Sequence, residues 1–185
     1  PVYELIGGRV RDKIRMYSHT GGDTPEQAAA NAKKRVEQGF DAVKISPDAP
    51  VKHIDHLSYV DALAEKFCAI REAVGKGVDI AIDFHGKVNP SMSIRMIEAI
   101  KPYYPMFVEE PVLPENVEEL VRVARSTTVP IATGERLFSR YDFKRLLQAG
   151  GVDIIQPDPC HAGGILESRK IAAMAEAYDV ALALH

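Results

Sequence analysis

The chain has 185 residues, 46% hydrophobic and 26% charged, with a formal net charge of −3. That length can bury the core of one globular domain, and the slight acidity offers no electrostatic footprint for nucleic acid or a membrane surface. No apolar run approaches the roughly 18 residues of a spanning helix, and the N-terminal stretch lacks the charged-then-apolar order of a secretory signal. Cys68 and Cys160 form no metal or redox spacing motif, so a cytoplasmic protein with free thiols is expected.

In chain order, strands and helices alternate from the start. Residues 14–20 alternate as a strand and Gly21-Gly22 closes them. Thr24-Pro25-Glu26-Gln27 has the form of a helix start, with a threonine cap, a first-turn proline and a glutamine three residues after the cap. Gly39 ends that helix, and residues 42–45 form a short second strand. A long loop over residues 46–55 carries His53. From His56 to Val74, apolar residues recur at helical spacing.

The third strand, Ile80-Ala81-Ile82-Asp83, runs on into Phe84-His85-Gly86. Extended alternation would put Asp83 and His85 on one side and Phe84 on the other. A helix over 90–100 follows. The fourth strand, Met106-Phe107-Val108-Glu109, leads to a helix from Glu115 to about Ser126. A fifth strand over 130–134 ends at Glu135. Ser139 to Asp142 then cap a helix that stops at Gly150. The sixth strand, 152–156, ends in Pro157-Asp158. Gly163-Gly164 opens a helix reaching Tyr178, and a seventh strand over 180–184 leads to His185.

Seven strands alternating with six helices predict a parallel α/β fold. An open doubly wound sheet gathers its site at one switch point, and the Gly-x-Gly-x-x-Gly phosphate fingerprint is absent. Here chemistry-bearing residues sit at the C-terminal ends of five strands. That favours a (β/α)8 TIM-type barrel, in which all such ends face one mouth. With about seven strands over residues 1–185, the expected architecture is an incomplete barrel forming one catalytic domain.

The acids Asp83, Glu109 and Glu135 are spaced by 26 residues each, one strand, one helix and two short loops. Three converging carboxylates cannot all stay ionised without a compensating cation. An all-oxygen donor set with room for water and substrate suits Mg²⁺. Any one of these acids alone is equally explained as a helix cap or a lysine partner. Asp158 and His185, at the ends of neighbouring strands about 4.8 Å apart, can form a pair in which the carboxylate fixes the imidazole tautomer and raises its basicity. The plain alternative is a solvated terminal histidine and a capping aspartate. Lys44, ending the second strand, would bind an anionic substrate, form a Schiff base, or balance an acidic mouth. His19, His53 and His56 are expected at the surface or in loops, and Cys160 in packing.

The motifs Asp83-Phe84-His85-Gly86, Val108-Glu109-Glu110-Pro111, Thr133-Gly134-Glu135-Arg136, Ile155-Gln156-Pro157-Asp158 with His161-Ala162-Gly163-Gly164, and Ala181-Leu182-Ala183-Leu184-His185 together resemble the enolase superfamily. The likeness is to its mandelate-racemase-like group, and within that to the galactonate dehydratase branch. The resemblance implies Mg²⁺ bound by Asp83, Glu109 and Glu135. It implies His185, supported by Asp158, as the base that removes the proton alpha to a carboxylate. Metal and cationic neighbours would stabilise the enediolate, and His85 would protonate the departing β-hydroxyl.

Racemases of the group carry Lys-x-Lys on the second strand, where this chain has Lys44-Ile45-Ser46. Racemisation needs proton transfer on both faces of the substrate, whereas elimination needs one base and one acid. Dehydration of an aldonate-like sugar acid is therefore the favoured expectation. A racemase or epimerase and a non-catalytic metal-binding barrel stand as alternatives. Family members also carry an N-terminal α+β capping domain and an eighth strand and form homo-oligomers. The chain is accordingly expected to be a segment of a longer enzyme, with specificity set partly by the 46–55 loop.

Overall fold

The computed structural model describes residues 1–48 and 50–185. The expected 46–55 loop is thus described apart from position 49. Among the described residues, seven strands form one all-parallel sheet in sequential order: β1 (Ser18–His19), β2 (Ala42–Ile45), β3 (Asp79–Asp83), β4 (Val108–Glu109), β5 (Ile131–Thr133), β6 (Ile154–Ile155) and β7 (Ala181–Leu182). Unbroken sequential order is the mark of a sheet curling towards a barrel rather than reversing about a switch point. The result is a curled half-barrel of the TIM type, with β1 and β7 as its edges. A short helix, α1 (Val2–Leu5), and a 3₁₀ turn at Lys101–Tyr103 add to the elements expected from the sequence.

The connecting helices are α2 (Pro25–Glu37), α3 (Leu57–Val74), α4 (Pro90–Ile100), α5 (Val117–Arg125), α6 (Arg140–Ala149) and α7 (Ile165–Glu176). Local chemistry sets several of their ends. Thr24 Oγ1 accepts from the Gln27 amide at 3.3 Å, but the Gln27 side chain reaches back to the Asp23 amide rather than to its cap. Asn89 Oδ1 accepts from the Met92 amide at 2.9 Å to start α4. Asp142 Oδ2 accepts from the Ser139 amide at 3.0 Å to start α6, and Gly150, at φ +70, ends it. Among the described residues no helix is long and apolar enough to cross a membrane.

Two packed layers follow from the period-2 alternation of the strands. Outward-facing residues such as Val43, Ile80, Ile82, Val108, Ile131 and Ile155 pack with Phe67, Met96, Ile97 and Phe143 from the helices in the main core. Inward-facing Ala81, Phe107 and Ala132 form a smaller cluster with Tyr17, Met106 and Ile154. Advancing two residues along the same strands from Tyr17, Ala42, Ala81, Phe107, Ala132 and Ile154 gives His19, Lys44, Asp83, Glu109, Gly134 and Gln156. An apolar plug thus lies directly beneath a polar layer at the C-terminal mouth. Lys66 of α3 braces that rim: its Nζ donates to Gly22 O at 2.7 Å and pairs with Asp48, whose carbonyl also accepts from Tyr59 Oη at 2.8 Å.

Candidate active site

Asp83 and Glu109 are direct partners in the β3–β4 register. Both are buried, at 2% and 0% exposed. Glu135 arrives differently. Glu109 is paired with Ala132, so Glu135 lies three residues beyond the level of Glu109, and inward-facing Ala132 would leave Glu135 facing out by simple alternation. Gly134 adopts φ +141, open only to glycine, and turns the chain there. One carboxylate oxygen from each of Asp83, Glu109 and Glu135 then lies within 4.8 Å of the others.

Lys44 occupies the inner side of this cluster. Its Nζ lies 2.6 Å from Glu109 Oε2, 3.6 Å from Asp83 Oδ2 and 5.0 Å from the Tyr17 ring centre. Burial works against the ammonium, but the hydrogen bond and charge of Glu109 carry its pKa above the ordinary lysine value. It is therefore a cation and not the neutral amine that Schiff-base chemistry needs. Of the roles expected for Lys44, balancing the acidic mouth is the arrangement the geometry contains. Burial, and then the neighbouring charge of Glu109, push the Asp83 carboxyl above the usual range. Burial likewise raises the Tyr17 phenol and lowers the His19 imidazole.

The trio fits a hard divalent cation on two observations. The donors are all carboxylate oxygens, and Glu109 Oε1 is buried with no hydrogen-bond partner. A fully buried charged acceptor left unpaired is costly, and a cation is the partner its chemistry asks for.

A histidine stands against each end of the trio. His85 Nε2 is 3.0 Å from Asp83 Oδ2, and the His85 amide donates to Asp83 Oδ1 at 2.8 Å. The two residues do not meet by the expected extended alternation. β3 ends at Asp83, and His85 takes φ +52, in the left-handed region, followed by Gly86 at +59. A non-glycine residue there costs about 1–2 kcal/mol. At the other end His185 Nε2 is 2.9 Å from Glu135 Oε2, while Nδ1 faces Asp158 Oδ2 at 3.6 Å. The Asp158–His185 approach is thus longer than a formed hydrogen bond. Asp158 also accepts from the Cys160 amide at 2.7 Å, and this bond above all holds its carboxyl below the usual range.

Cys160 corrects one expectation. Its side chain is exposed rather than packed, in the turn that leads into α7. His53 and His56 are exposed in their loop, and His19 lies exposed at the β1 edge with its ring 6.1 Å from that of Tyr17.

Sequence reasoning gave no role to Glu110, Arg136 or Gln156, all of which lie at the mouth. Glu110 is 1% exposed and held by a two-pronged ion pair: Arg136 Nε donates to its Oε1 at 2.9 Å and Nη2 to its Oε2 at 2.8 Å. Burial raises the Glu110 carboxyl despite that partner, and the hydrogen bond to Glu110 raises Arg136. The available signal was the spacing of Glu110 and Arg136, the same 26 residues that separate the acids. Gln156 is 1% exposed, with Oε1 unpartnered, and only its place two residues after inward-facing Ile154 marked it.

The family model described as enolase C-terminal domain-like matches residues 27–185. Among curated proteins, the D-galactonate dehydratases of Pectobacterium atrosepticum and Ralstonia pickettii are each 53% identical over 100% of this chain and 48% of their own length. The chain therefore spans about half the length of the curated relatives it matches. Among solved structures, a mandelate racemase/muconate lactonizing enzyme from Jannaschia sp. CCS1 superposes with a TM-score of 0.93 at 40% identity, covering 100% of this chain and 51% of that one. A member of the enolase superfamily from Salmonella typhimurium gives a TM-score of 0.95 at 32% identity, covering 100% and 53%.

Proposed function

The chain belongs to the enolase C-terminal domain-like family, and from that membership we propose that it forms the catalytic barrel of a Mg²⁺-dependent sugar-acid dehydratase acting on an aldonate such as galactonate. The relatives named D-galactonate dehydratase, 53% identical to this chain, support the substrate class. The single observation that carries the reading is the acid trio with one imidazole against each end, His85 at Asp83 and His185 at Glu135. The activity is assigned to a full-length protein that includes residues 1–185.

Asp83, Glu109 and Glu135 would hold the ion. When bound, Mg²⁺ supplies Lewis-acid stabilisation of the negative charge that develops on the substrate carboxylate, where most of the barrier lies. His185 presents Nε2 to the trio and Nδ1 to Asp158. Asp158, held below the usual carboxylate range above all by the Cys160 amide, faces Nδ1 at 3.6 Å. When it closes on Nδ1 to accept its proton and Nε2 turns from Glu135 to the substrate, the Nε2 lone pair takes the alpha proton. His85 is the acid: it gives a proton to the β-hydroxyl, water leaves, and a 2-keto-3-deoxy acid results. Lys44 keeps its charge beside Glu109 and Asp83. It is not a free second base, and Ser46 stands where racemases of the group have one. Elimination is favoured over racemisation for that reason.

The test is a screen of the full-length protein against an aldonate library with Mg²⁺, reading 2-keto-3-deoxy products. His185→Asn should abolish both product formation and solvent deuterium entry at the alpha carbon. His85→Asn should abolish product formation alone. Alpha-carbon exchange without water loss in the unsubstituted protein would favour a racemase or epimerase. Silent histidine substitutions would favour a non-catalytic metal-binding barrel.

A further inference from the structure

We propose that Arg136, gripped by Glu110, is a positioning residue for His85: it fixes the left-handed turn that aims the imidazole at the acid trio, and so controls protonation of the leaving hydroxyl but not removal of the alpha proton. The inference rests on the dehydratase reading above and assigns a residue to its second step.

Three strand ends meet in this device. Arg136 follows β5, Glu110 follows β4, and His85 follows β3. The nitrogen that holds Glu110 Oε2 at 2.8 Å, Arg136 Nη2, also donates to the His85 carbonyl at 3.1 Å. The Gly86 amide donates in turn to Glu110 O at 2.9 Å. The peptide between His85 and Gly86 is thus tied at its oxygen by Arg136, and at its nitrogen to the backbone of Arg136's own partner. Both residues of the turn have positive φ, His85 at +52 and Gly86 at +59, and so has Glu110, at +41. Such conformations persist only where the surroundings over-determine them.

Gly86 shows how closely the guanidinium is fitted. A Cβ at position 86 would run into Arg136 Nη2. Only a planar fork serves this geometry, since two nitrogens grip the carboxylate while one of them also reaches the carbonyl. Glu110 lies outside the trio's cluster, and both its oxygens accept from Arg136. A buried ion pair is a weak source of stability in itself. Its place here, on the backbone of the one imidazole that contacts Asp83, is what gives it a function.

The test uses the full-length protein carrying Arg136→Met or Arg136→Lys. In Arg136→Met, kcat for dehydration is expected to fall by about 10²-fold, the scale of a 1 Å misplacement of a reacting group. Deuterium should still enter the alpha carbon of recovered substrate at a rate close to that of the unsubstituted protein, and Mg²⁺ affinity should hold within about twofold. Arg136→Lys, which keeps the charge but not the fork, should recover part of the elimination rate and guards against a failure to fold. Exchange and elimination falling together, or Mg²⁺ affinity falling by the same factor as kcat, would overturn the proposal. A second arm needs no substrate. In a crystal structure of either variant the His85–Gly86 turn should leave the left-handed region and Nε2 should leave Asp83, and an unchanged turn would also overturn it. If the unsubstituted protein dehydrates no aldonate, the functional reading fails by itself while the crystallographic arm still decides the positioning claim.

Discussion

Substitution of Lys44 by methionine gives the most direct measure of the charge balance at the mouth. The lysine nitrogen lies 2.6 Å from Glu109 Oε2 and 3.6 Å from Asp83 Oδ2, with all three side chains 0–2% exposed. Methionine keeps the apolar stem against Tyr17 and removes the ammonium that contacts both acids. Taking one partner from a buried pair costs about 3–5 kcal/mol, because the remaining charge is uncompensated. The lower end is expected here. Asp83, whose carboxyl is already pushed upward by burial and by Glu109, can take a proton and limit the damage. In the full-length protein with EDTA, urea unfolding of Lys44→Met should therefore show a loss of about 3 kcal/mol. Mg²⁺ should reverse much of it. An ion at 100 times its Kd stabilises by about 2.7 kcal/mol, and the variant should bind more tightly, since no ammonium competes for Glu109 Oε2. A variant as stable as the unsubstituted protein in EDTA, or one that gains no more from Mg²⁺, would refute the view that Lys44 and the ion serve the same carboxylates.

Gly134→Ala should destabilise by about 1–3 kcal/mol, since φ is +141 and the new Cβ would meet Gln156 N at 2.8 Å and Phe143 Cε1 at 2.9 Å. Mg²⁺ titration of the same variant should show weakened binding, because the turn at Gly134 is what brings Glu135 to the trio. The raised Asp83 pKa has a definite sign. As pH rises from the ordinary aspartate value near 3.9 to the raised one, the folded state keeps a proton that the unfolded state has lost, so ion-free stability declines across that window. Mg²⁺ needs the ionised carboxylate, so its affinity should weaken as pH falls through the same window, and a flat pH profile in calorimetric titration would contradict this.

The elements most legible in the sequence were those whose limits are chemical and local. The second strand at Ala42–Ile45 and the helices at Pro90–Ile100 and Arg140–Ala149 lie where apolar period, cap residues and glycine stops place them. Strands β1 and β4 to β7 are only two or three residues long, against five or more expected for β1, β5, β6 and β7. Apolar alternation marks what is buried on each face, whereas the ladder extends only as far as neighbouring strands overlap. The same distinction explains His85. Alternation put it beside Asp83 on an extended chain, and it does sit beside Asp83, but by a left-handed turn whose supports lie on β4 and β5.

The 26-residue spacing of the acids shows both the reach and the limit of such reasoning. Equal spacing suggests equal height in the sheet, yet the register sets Asp83 opposite Glu109 and then Glu109 opposite Ala132. Equal spacing in sequence and equal height thus part company after the second strand, and Gly134 supplies the turn that restores convergence. A backbone angle did what spacing alone could not. The spacing also holds one residue further on, where Phe84, Glu110 and Arg136 succeed the three acids. In that second phase the chain sets an acidic and a basic side chain on adjacent strand ends, where they close on each other and onto the peptide that carries His85. One repeat therefore builds two clusters, carboxylates that fit a cation and a self-neutralised brace. Charge sorts them: like charges brought together call for an ion, and unlike charges brought together close on each other.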